Sequence, residues 1–271
     1  MGGATILVTG ATGGIGLAAV RSLARKGAQV VIGARDPARG RAVVDEITHE
    51  GGKAELLTID LASFSSVREA ALRFAAAHAS LDVLVNNAGI VARPRRVSQD
   101  GHELTWQTNF LSAFLLTRLL LDKLRTAPGP RVVNVSSDAH RVGRLDWEDL
   151  EMRRGRYRGF RAYANSKLAL ILFTRELARR EPRIAANALH PGTIATGIWR
   201  ASPRPMQWIL RRVLPSADIG ARPVVRLACA PELDGVSGRY FDRMREVEPA
   251  ARARSDADAA RLWDAAVSAT Q

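Results

Sequence analysis

The run Thr9-Gly10-Ala11-Thr12-Gly13-Gly14-Ile15-Gly16 constrains this chain more than any other feature. It follows a short apolar run, Ala4–Val8, and leads into a segment near 15–26 with helical spacing. A glycine-rich turn between strand and helix lets the backbone come close to a pyrophosphate. The helix N-terminus then offers unpaired N–H groups and a favourable dipole. An ordinary tight turn is the competing reading. A second strand arriving on schedule at Gln29–Gly33 favours the nucleotide site, with Gly10, Thr12, Gly14, Ile15 and Gly16 as its contacts.

The rest of the chain repeats the pattern. Ala54–Ile59, Asp82–Val85, Arg131–Val135 and Ile184–Leu189 are short runs, most of them rich in consecutive Val, Ile and Leu, as expected of strands buried on both faces. Helix-length segments lie near 37–50, 64–78, 101–125 and 161–180. Gly238–Phe241 is read as a seventh strand and Leu262–Ala269 as part of a terminal helix. Strand–helix alternation implies a Rossmann-type, doubly wound parallel α/β sheet of about seven strands with helices on both faces. No break marks a second domain, so residues 1–271 are read as one: a cofactor half to about 135, then a catalytic and substrate half.

Composition narrows the class. At 46% hydrophobic and 25% charged, the chain is neither disordered nor collagen-like. The lone Cys229 excludes an intrachain disulfide and suits a reducing, cytoplasmic setting, and its apolar surroundings suggest packing rather than reactivity. Residues 1–20 are uncharged but lack a basic leader and a long apolar run, so neither a signal peptide nor an integral membrane segment is expected. The net charge is +13, but the arginines scatter along the whole chain, and no helix-turn-helix or zinc pattern accompanies them. Nucleic acid is therefore not expected as a partner. The five histidines show no metal spacing, so no metal is assigned.

The second strand ends in Gly33-Ala34-Arg35-Asp36. An acid at this tip selects NAD, and a nearby arginine accommodates the 2′-phosphate of NADP. Ala34 occupies the selecting position and Arg35 follows it, which favours NADP. NAD stays open if Asp36 turns inward. Of the three tyrosines, Tyr163 alone has a lysine four residues on, Lys167, within a helical pattern. That spacing puts both side chains on one helix face. A nearby ammonium is expected to lower the phenol pKa toward the range useful for acid–base chemistry. Tyr157 has no such lysine and is expected to tolerate Phe.

These residues join others: Asn86-Asn87-Ala88-Gly89 after the fourth strand, Asn109 in the next helix, Val135-Ser136-Ser137 ending the fifth strand, and Pro191-Gly192-Thr193-Ile194-Ala195-Thr196 after the sixth. Together they resemble the short-chain dehydrogenase/reductase superfamily over essentially the whole chain. Val132 to His140, Tyr163 to Ala169, His190-Pro191-Gly192 and Leu262-Trp263 are similar to its retinol-dehydrogenase-like branch. The resemblance implies an NAD(P)-dependent oxidoreductase that interconverts an alcohol and a carbonyl. Tyr163 would be general acid or base. Lys167 would tune it and hold the nicotinamide ribose, Ser137 would bind the substrate oxygen, and Asn109 would order a water. Asn87, Ala88 and Gly89 would pass the adenosine ribose, and Asp60 and Leu61 would meet the adenine. Ile194 and Thr196, after Pro191 and Gly192, would hold the carboxamide.

The stretch 199–214 is apolar and aromatic, interrupted by arginines. It is read as a lid over a pocket for a small lipophilic or aromatic substrate, with packing against the body of the protein or against another subunit of a homo-oligomer, or contact with a membrane surface, as alternatives. A non-catalytic NADP-binding regulator on the same fold is the competing function.

Overall fold

The computed structural model describes residues 2–193 and 216–271. Ile194, Thr196 and the stretch 199–214 lie outside the described residues. The chain runs β1 (Thr5–Thr9), α1 (Gly14–Arg25), β2 (Gln29–Ala34), α2 (Pro37–His49), β3 (Lys53–Thr58), α3 (Phe64–Ala77) and β4 (Val83–Asn86). It continues through α4 (Leu104–Trp106), a π turn (Gln107–Leu111), α5 (Ser112–Leu119), α6 (Leu121–Arg125), β5 (Arg131–Val135), α7 (Gly159–Arg180) and β6 (Ala185–His190). After the undescribed stretch come α8 (Ala217–Cys229), β7 (Tyr240–Asp242), β8 (Arg245–Glu246) and α9 (Asp256–Ala269).

The strands of the described residues form one sheet, ordered β3-β2-β1-β4-β5-β6-β7-β8. β3 to β7 are parallel, and β8 returns antiparallel to β7. The expected count of about seven strands becomes eight among the described residues. β8 has two exposed, charged residues, too short for an apolar alternation to announce it. The expected helix over 101–125 is broken by the π turn and by Leu120. The other expected strands lie within one or two residues of those observed.

Alternate residues of the strands feed opposite layers. Ile6 and Val8 pack with α1, α2 and α8, while Leu7 packs with α3, α5, α7 and α9. Both layers are apolar, which explains the continuous Val/Ile/Leu runs. Helix starts follow local chemistry: Asp36 caps α2, Ser63 caps α3 and Ser255 caps α9. The strand order reverses between β1 and β4, so their following segments leave in opposite directions and open a crevice at the carboxyl ends.

Arg131, 7% exposed at the start of β5, fastens α8 from below. It donates to Leu227 O (3.1 Å) and Ala230 O (2.9 Å) and pairs with Asp234. Arg131→Ala removes a charge-assisted donor from three acceptors. Urea unfolding should show a loss of about 3 kcal/mol, while Arg131→Lys should recover part of it.

Candidate active site

The glycine-rich turn is built by close approach. Gly10 and Gly14 have φ of 68° and 55°, the left-handed region. A Cβ on Gly16 would lie 2.5 Å from both Gly10 O and the Asn87 amide nitrogen. One on Gly10 would lie 2.9 Å from Ala88 Cα. Asn87 locks the turn by donating through Nδ2 to Thr9 O (2.8 Å). Thr9 Oγ1 accepts from Asn87 N (3.1 Å) and Ala88 N (3.2 Å). Gly13, the residue before α1, has no side chain to cap the helix, and the first turn holds no acid. The helix N-terminus is left to whatever enters the crevice, which suits a pyrophosphate.

At the tip of β2, Arg35 is exposed. Asp36 does not turn inward. Its Oδ1 accepts from Ala38 N (3.0 Å) and Arg39 N (3.2 Å), so it is committed to capping α2. Sequence reasoning missed Arg39, whose Nη2 crosses to the glycine-rich turn and donates to Thr12 O (3.0 Å). No local signal marked it, because that the first turn of α2 opens beside the glycine-rich turn is decided by packing. Asp60 accepts from Ala62 N (3.0 Å) through its own side chain. Leu61 is buried in the core, and its carbonyl accepts from Ser112 Oγ (2.6 Å). Pro191 and Gly192 follow β6 directly, Gly192 with φ of 94°.

The parallel sheet carries Asn87–Gly89, Ser136–Ser137 and Pro191–Gly192 to the same edge. α7 lays Tyr163 and Lys167 beside them, 7% and 3% exposed. Lys167 Nζ donates to Val135 O (2.7 Å) and stands 5.5 Å from the Tyr163 ring centroid. A Cβ on Gly89 would lie 3.3 Å from Nζ and 3.6 Å from Asn109 Oδ1, so a glycine keeps this space open. Asn109 lies in the π turn with both polar atoms of its carboxamide engaged. Oδ1 accepts from Ile90 N (2.8 Å), and Nδ2 donates to Ile90 O (3.1 Å) and Ser166 Oγ (2.9 Å). Ser137 is partly exposed, with Oγ accepting from Ala139 N (3.2 Å) and facing the Tyr163 phenol.

The electrostatics depart from the expectation drawn from spacing. Burial raises the Tyr163 phenol above its ordinary value, and the hydrogen bond with Ser137 only partly opposes this. Burial also brings Lys167 down to about 7. An ammonium whose charge burial already disfavours cannot impose a strong field on its neighbour. The Tyr157 expectation changes too. Its hydroxyl lies 2.9 Å from Glu103 Oε1 and 3.2 Å from Ala92 O, and burial pushes it up to about 12. Glu103, 1% exposed, also caps the helix leading to Asn109, accepting from Thr105 N and Trp106 N. Phe at 157 would take a donor from a buried carboxylate.

Residues 4–207 match the short chain dehydrogenase family. The chain belongs to that family. Within it, the chain falls in the retinol-dehydrogenase-like branch. It is 38% identical to human retinol dehydrogenase 13 over 276 residues, covering 96% of this chain and 82% of the relative. It is 40% identical over 269 residues to DnrU, a candidate daunorubicin C-13 ketoreductase of Streptomyces sp. (strain C5), covering 98% and 92%. A short chain dehydrogenase from Escherichia coli CFT073, solved with NADPH, is similar at a TM-score of 0.74 and 27% identity, covering 90% and 98%. Among the described residues, no helix is long and apolar enough to cross a membrane.

The buried lysine makes this family member's stability depend on pH. The folded chain carries the full cost of the buried ammonium below about 7, and that cost fades as pH rises toward 10.5, where the unfolded chain loses its proton too. At pH 7 the cost is ~4 kcal/mol, against about 1–3 for the Val135 carbonyl that Met would leave unpaired. Lys167→Met should therefore raise Tm at pH 7 by a few degrees, at roughly 2–4 °C per kcal/mol, and the gain should shrink toward pH 10. Calorimetry across pH checks both.

Proposed function

We propose that this family member is an NADP(H)-dependent oxidoreductase that reduces the carbonyl of a small lipophilic or aromatic compound to an alcohol. The observation that carries the reading is the convergence of Ser137, Tyr163 and Lys167 at one sheet edge, beside a glycine-rich turn whose cradle a single Cβ would fill. When bound, NADPH supplies the hydride. The remaining chemistry falls to side chains of this chain.

Tyr163 gives its phenolic proton to the substrate oxygen. Its raised pKa keeps it protonated at neutral pH, the form a general acid needs, which supports reduction as the favoured direction. Ser137 donates to the same oxygen and stabilises its developing charge. Lys167, anchored on Val135 O and facing Gly89, meets the nicotinamide ribose. The carboxamide of Asn109 is already spent on Ile90 and Ser166, so the water it orders in a proton relay meets the main chain at the π turn. The 2′-phosphate takes Arg35 and Arg39 as partners, and Asp36, occupied as a cap, does not reach the ribose.

NADPH consumption over a panel of ketones, aldehydes and quinones tests the reaction. Tyr163→Phe should cut turnover by at least the 10²–10⁴-fold typical of a lost acid–base group, with NADPH binding little changed. A purely regulatory NADP-binding role would show no turnover to lose. Reduction should fall as Tyr163 ionises in the alkaline range, while alcohol oxidation should rise over that same range. Arg35→Ala and Arg39→Ala should each weaken NADPH binding by about 1.5–3 kcal/mol and NADH binding far less, measured by fluorescence titration. Equal losses for the two cofactors would remove the phosphate assignment.

A further inference from the structure

His140 sits three residues after Ser137 and has no exposed surface. Its Nδ1 lies 2.8 Å from Ser137 O, and its Nε2 accepts the backbone N–H of Ala250 at 3.1 Å. A ring nitrogen that accepts from an amide must present its lone pair, so the ring proton is on Nδ1 and is donated to the Ser137 carbonyl. The ring is therefore neutral. Burial depresses its pKa, with Arg141 and His190 acting in the same direction and the Ser137 hydrogen bond and Asp138 opposing. Tyr240, at the start of β7, packs edge-on at 4.9 Å and fixes the ring plane.

A second tie runs in parallel. Arg252 Nη1 donates to Gly143 O (2.7 Å), at the far end of the same short loop. Gly143 in turn backs onto α7, where a Cβ would lie 2.6 Å from Ala164 O, the residue after Tyr163. Residues 250–252 thus hold both ends of the loop 137–143 against the helix that carries the phenol. Ser137 has no comparable support from its own side chain, whose only hydrogen bond in that loop is the local one from Ala139 N.

We infer that His140 is a positioning residue that ties the Ser137 loop to the C-terminal segment at Ala250 and so aims Ser137 at the substrate oxygen. The inference rests on the proposed role of Ser137. It predicts that catalysis depends on a backbone N–H remote in sequence from the reacting groups.

Two variants cut the tie from opposite sides. His140→Phe keeps an aromatic ring, slightly larger, and removes both nitrogens. Ala250→Pro removes the donor and sets the ring's Cδ against Nε2, so the tie cannot form, at a residue whose φ of −52° proline accepts. With NADPH and benzil, an aromatic diketone, as the probe, each should lower kcat roughly 10- to 100-fold, the scale of a small misplacement at the reacting centre. The NADPH dissociation constant should not change. In the Ser137→Ala background, His140→Phe should lower kcat no further, because its effect passes through the serine. Amide exchange over 137–143 should quicken in Ala250→Pro, while exchange over the glycine-rich turn at 10–16 should not. Unchanged exchange over 137–143 in Ala250→Pro overturns the tie whatever the turnover. So does a wild-type kcat in both single variants when Ser137→Ala is impaired. If Ser137→Ala itself turns over normally, or neither benzil nor any other carbonyl of the panel is reduced, the active-site reading is what fails, and the exchange measurement still decides the tie.

Discussion

Three consecutive residues of β5 and the turn after it hold α7 in place. Asn134 Nδ2 donates to Thr174 Oγ1 (2.8 Å), Val135 O accepts from Lys167 Nζ (2.7 Å), and Ser136 Oγ donates to Lys167 O (2.7 Å). The first of these continues sideways through Asn86, which donates to Asn134 Oδ1 (2.9 Å) and Thr117 Oγ1 (3.1 Å), so β4, β5, α5 and α7 share one buried polar seam. Each bond contributes about 1 kcal/mol net, but leaving any partner unpaired in this interior costs more. The seam therefore selects one register of α7 on the sheet. The positions of Tyr163 and Lys167 relative to the glycine-rich turn follow from it.

The same seam forces a compromise. A lysine buried against a carbonyl cannot keep its ordinary basicity, and a phenol buried beside it cannot ionise easily. The fold tolerates the cost because the layers on either side of the sheet are almost wholly apolar. Stability comes from those layers, and the charged cluster draws on it. The surface arginines add little. Pairs such as Arg25–Glu50 and Arg243–Asp242 are exposed, and screened pairs of this kind contribute within about 1 kcal/mol.

Most of the architecture was legible from residue order. Strand–helix alternation, consecutive apolar strands, the glycine-rich turn and the i, i+4 spacing of Tyr163 and Lys167 are short-range patterns, and each maps onto an element within a residue or two. The π turn at Gln107–Leu111 and the two-residue β8 were not legible, because neither departs from its neighbours in composition. Arg39 was overlooked because its meaning lies in what α2 faces, not in its own neighbourhood.

The sequence by itself determined the sheet order's ingredients, the crevice glycines and the pairing of a phenol with an ammonium. Tertiary structure alone decided the direction in which that pair is tuned. Desolvation is summed over every element that closes around a group, and here it outweighs the neighbouring charge that spacing announces. Tertiary structure also decided that Asp36 caps a helix, that Asn109 has no free carboxamide, and that His140 reaches Ala250, which lies 110 residues away. Periodicity reports which face of an element is apolar. Which distant backbone group meets a buried nitrogen depends on how whole elements pack, and no local pattern carries that.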